Sequence, residues 1–101
     1  MDETRARADH PLILTDPAGT GQDLPAADLI LLSGTVHCPR ADILRASRPQ
    51  TVVAGPAGCL EGLPLNQLVL RPGRTERVLG VDVTASAVPG GLSYKVERPR
   101  S

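Results

Sequence analysis

The chain has no phenylalanine and no tryptophan, and Tyr94 is the single aromatic residue among its 101. A core must therefore be assembled from Leu, Val, Ile and Ala, which are among the residues most often fully buried. The same lack argues against sequence-tolerant binding of single-stranded nucleic acid, which relies on stacking bases against aromatic side chains. Net charge is missing too. Eleven basic and eleven acidic residues cancel to a formal charge of +0, so no global field draws the chain to nucleic acid or to an anionic membrane. The one local excess, Lys95, Arg98 and Arg100 against Glu97, reads as a solvated terminus. The longest uninterrupted apolar run, Leu29 to Leu32, is far too short for a membrane span. The charged start Met1-Asp2-Glu3-Thr4-Arg5 does not read as a secretory signal, so a soluble, cytoplasmic protein is expected. Cys38 and Cys59 have neither Cys-x-x-Cys spacing nor the density of a disulfide scaffold, which predicts free thiols, with Cys59 a small buried hydrophobe.

The length fits one α/β domain over residues 11–98, with a flexible lead-in at 1–10 and a short tail at 99–101. The stretch from Asp28 to Gly58 organises the rest, reading as strand, loop, helix, strand. Leu29–Leu32 and Thr51–Ala54 are short runs rich in branched residues. The segment between them is long enough for a helical crossover, which predicts parallel neighbours. Pro39 suits the first helical position, with Cys38 near the cap, Asp42 in the first turn, Arg45 and Arg48 in the last, and Pro49 as the stop. Ala41, Ile43, Leu44 and Ser47 are expected on its inward face.

Pro11–Thr15 reads as an earlier strand stopped by Asp16-Pro17. The glycines of Ala18-Gly19-Thr20-Gly21 lack the Lys-Ser/Thr of a phosphate-binding loop and read as an ordinary turn. Ala57–Glu61 fits a single helical turn, and Asn66–Leu70 a fourth strand. Val78–Ala85, with Val81, Val83 and Ala85 alternating with Asp82 and Thr84, reads as a half-exposed strand. Pro89-Gly90-Gly91 then turns the chain into a last strand, Leu92–Glu97. The fold expected is a parallel βαβ part followed by an antiparallel meander. Strands apolar on both faces need cover on both, and the helical segments are few. A homodimer or a partner protein is therefore expected over the open sheet face.

Four pieces in collinear order resemble the amino-terminal half of the metallo-β-lactamase fold: Leu12-Ile13-Leu14-Thr15-Asp16-Pro17; Ala27-Asp28-Leu29-Ile30-Leu31-Leu32-Ser33; Arg48-Pro49-Gln50-Thr51-Val52-Val53-Ala54-Gly55-Pro56; and Leu70-Arg71-Pro72-Gly73 with Gly80-Val81-Asp82-Val83-Thr84-Ala85 and Val88-Pro89. The branch most similar is that of metal-dependent hydrolases including ascorbate-phosphate lactonase-like proteins. The resemblance implies half of an αββα sandwich. It also implies a His-x-His-x-Asp-His motif after the second strand, holding zinc ions that activate water for hydrolysis. Without a gap, Gly34, Val36, Cys38 and Pro39 fall at the four motif positions, and a small shift lets His37 stand for one histidine. The family's opening hairpin and its later Gly-Asp-Thr and histidine motifs have no counterpart here. The resemblance thus implies the fold with a degenerate metal site.

Two functional readings follow. The first is a non-catalytic binding or accessory module with no cofactor. Any small-molecule pocket would then lie at the carboxyl ends of the parallel strands, where ligands sit in such sheets, near Asp16, Thr35, His37 and Cys38. The second is a residual hydrolase. A thiol at a helix amino terminus has its thiolate favoured, so Cys38 is a candidate nucleophile with His37 or His10 as base. Alternatively, His37 and Cys38 of two subunits would supply four zinc ligands. Asp16, Asp28 and Asp42 read as a turn residue, a strand-entry residue and a helix first-turn carboxylate.

Overall fold

A computed structural model describes residues 11–16, 26–35, 40–63 and 66–98. Two sheets form. Strands β1 (Ile13–Thr15), β2 (Leu29–Leu31), β3 (Val52–Gly55) and β4 (Asn66–Val69) make a parallel sheet in the order β1-β2-β3-β4. Strands β5 (Thr75–Val78), β6 (Val81–Val88) and β7 (Gly91–Glu97) make an antiparallel meander. Helix α1 (Arg40–Arg45) lies between β2 and β3, and α2 (Ala57–Leu60) between β3 and β4. The parallel βαβ half followed by a meander is the arrangement the sequence predicts.

Alternation along β2 divides the core. Leu29 and Leu31 point to one face, where they pack with Ala54, Leu70, Val78, Val81, Val83, Ala85 and Leu92. Ile30 and Leu32 point to the other and pack with Ile43, Ala46, Val53, Leu60 and Leu63 from the helical side. The parallel sheet is thus the middle layer, with helices on one face and the meander on the other. This corrects the premise of the partner expectation. The face that called for a homodimer or a second protein is covered by the chain's own β6 and β7.

The helix is shorter than expected and turned differently. Among the described residues it runs Arg40–Arg45, ending before the expected Arg48, and its buried residues are Asp42 and Ile43, joined by Ala46 just beyond its end. Positions 42, 43 and 46 share a face by the three- and four-residue spacing. Ala41 and Leu44, expected inward, are exposed instead. The 3.6-residue period allows one narrow stripe in so short a helix, and Ile43 with Ala46 takes it. A buried threonine closes this layer. Thr51 donates its hydroxyl to the Ala27 carbonyl at 2.6 Å and accepts from the Arg48 N–H at 2.7 Å. Gln67 ends α2 by donating to the carbonyls of Leu60 (2.8 Å) and Leu63 (2.7 Å).

The strand expected over Val78–Ala85 is instead two strands. Val78 pairs with Val81, so Leu79 and Gly80 form a two-residue turn in which both have positive φ, +50° and +84°. Such turns match the twist of a hairpin. The flanking valines continue an apolar run through it, which hides the turn from a pattern read on hydrophobicity. The meander's outer strands carry charges, Glu76 and Arg77 on β5 and Lys95 and Glu97 on β7. Strand β4, Asn66-Gln67-Leu68-Val69, carries none.

Two glycines of β3 and α2 separate packing from propensity. A Cβ on Gly55 would lie 2.7 Å from the Leu32 carbonyl oxygen, whereas one on Gly58 would meet nothing within 4 Å. Gly55→Ala is expected to cost at least about 2 kcal/mol, because backbone on both sides must move. Gly58→Ala is expected to stabilise by about 0.5–1 kcal/mol, the helical preference of alanine over glycine. Urea unfolding of the two variants checks both signs.

Candidate functional site

Strands β1, β2 and β3 all end at one edge of the parallel sheet, and the polar residues there form a single connected group. Asp16 follows β1 directly. Its N–H donates to the Leu31 carbonyl at 2.9 Å, which keeps the chain alongside β2 for one further residue. There φ is +47°, the left-handed region that aspartate tolerates better than most residues. The carboxylate meets the loop after β2. Its Oδ1 accepts the Ser33 N–H at 2.8 Å and its Oδ2 the Ser33 hydroxyl at 2.7 Å.

Counting protons fixes the direction of the remaining bonds. A carboxylate only accepts, so the single Ser33 hydroxyl proton goes to Asp16. The 2.8 Å contact between Ser33 Oγ and Thr35 Oγ1 must then be donated by Thr35, and the Thr35 N–H also donates to Ser33 Oγ at 3.2 Å. Both lone pairs of Ser33 are taken. A hydroxyl with its proton and its lone pairs committed does not offer an activated nucleophile. Thr35, exposed, turns its proton inward and its acceptor lone pairs outward.

The meander holds the same loop from the other side. Leu92 N–H donates to the Ser33 carbonyl at 2.8 Å, and the Tyr94 hydroxyl to the Leu32 carbonyl at 2.7 Å. Gly91 lies so close that a Cβ there would overlap the Ser33 carbonyl oxygen. From β3 and α2 come Pro56 and Cys59, whose Cγ and Sγ would each be 3.4 Å from a Cβ placed on Gly34. Cys59 is a free thiol, partly buried against the helical-side core, close to the small hydrophobe expected. Burial pushes the Tyr94 phenol up from 10.0 to about 12, with the Asp16 carboxylate and then Cys59 adding to the shift. Tyr94 therefore stays protonated near neutrality and is far from the range of a general base.

Of the residues the sequence picks out, Asp16 and Thr35 are brought together, through Ser33. His37, Cys38 and His10 lie outside the described residues, as does Pro39. Asp28 sits at the opposite edge, at the entry to β2, where its Oδ2 accepts the Leu12 N–H at 2.8 Å. Asp42 is buried on α1, 3.5 Å from the Arg45 guanidinium. Among the described residues no group of three or more His, Cys, Asp and Glu side chains could hold a metal ion, and no helix is long and apolar enough to cross a membrane. Sequence reasoning left Ser33 and Tyr94 out of the candidate site and read Cys59 as a buried hydrophobe alone. For Tyr94 a signal existed: the lone aromatic falls at an alternate position of the last strand, two residues after Leu92.

Two outcomes follow from these bonds. Asp16→Ala loses both acceptors and places alanine at positive φ, an expected loss of about 2–3 kcal/mol. Asp16→Asn keeps one amide oxygen and a side chain that accepts this backbone, so it is expected to fall between alanine and the parent in denaturant midpoint. For Tyr94 the folded value lies above the unfolded one, so its contribution to stability is complete below pH 10.0 and is lost as pH rises toward about 12. Tyrosinate absorbance, which reports this one residue, is expected to titrate near the upper value in folded protein. Tyr94→Phe is expected to lack the corresponding loss of melting temperature.

Comparison with known protein families, with curated proteins and with solved structures finds no match to this chain.

Proposed function

We propose that this domain is a non-catalytic binding module, a relative of the metallo-β-lactamase fold that keeps the strand order of its amino-terminal half without the family's hydrolytic chemistry. The observation that carries this reading is the saturation of Ser33. Its proton is donated to Asp16 and its lone pairs accept from Thr35, so the strand-ending aspartate holds a loop instead of activating a reactant. The binding edge on this reading is the carboxyl end of β1, β2 and β3, where ligands collect in parallel sheets. Thr35 offers acceptors only, so a ligand group that meets it there donates a hydrogen bond. A homodimer or accessory complex, on the same reading, uses a surface other than the sheet face that the meander covers.

The competing reading is a zinc hydrolase or a zinc-bridged dimer through His37 and Cys38. Elemental mass spectrometry on protein purified without a histidine tag separates the two, with His37→Ala as the control. The expected result is folded protein free of zinc, unchanged in the variant. Near-stoichiometric zinc that is lost in His37→Ala would overturn the binding-module reading.

A further inference from the structure

We draw no further inference here: the strongest candidate, the uncharged outer edge of β4 with Val69 exposed on it, pairs with no other strand among the described residues, and nothing in the structure shows what covers it.

Discussion

The peptide joining Leu32 to Ser33 is the point on which the two sheets depend. Its flanking carbonyls accept from Tyr94 and Leu92 of β7, while Ser33 is held by the carboxylate that ends β1. On the β3 side, Leu32 N–H donates to Ala54 at 2.8 Å, and Gly55 allows the backbone to approach. Three strands from both sheets, β1, β3 and β7, therefore converge on the two residues that follow β2. The requirement is simple: a strand that ends inside a protein must have its last polar groups satisfied. No buried side-chain nitrogen or oxygen among the described residues lacks a partner.

Around that point the core is aliphatic apart from Tyr94 on one face and Cys59 on the other, both partly buried. Small, branched side chains let the three layers lie close, and they leave few ways to fill a gap. Glycine at positions 55 and 91 is the corollary, since in both places one backbone fills the space that a side chain would need. The helical face of the parallel sheet is filled in the same way among the described residues. Ile43 of α1 and Leu60 of α2, with Ala46 and Leu63 just beyond them, pack with Ile30, Leu32 and Val53.

Much of this was legible in the sequence because it rests on local pattern. The runs at Leu29–Leu32 and Thr51–Ala54, the alternation through Val81, Val83 and Ala85, and the Pro89-Gly90 turn each declare their structure by themselves. What was not legible depends on distance. That the meander covers the sheet is a statement about residues some fifty positions apart, and no periodicity reports it. The Leu79-Gly80 turn was hidden by a leucine in a conformation that leucine seldom takes. Asp16 and Thr35 were marked as neighbours in a possible site, but the serine between them was not, because the hydrogen-bond direction that makes it the hub exists only once the strands are side by side.

The last of the long-range ties is the Arg98 guanidinium donating to the Pro11 carbonyl at 3.0 Å, across 87 positions of chain. Its consequence concerns birth rather than the finished molecule. A chain made from its amino terminus completes β1 to β4 before the meander, so most of the residues that cover Leu29 and Leu31 are made after the strand they cover. Segments whose cover arrives late are the ones exposed to association with other chains.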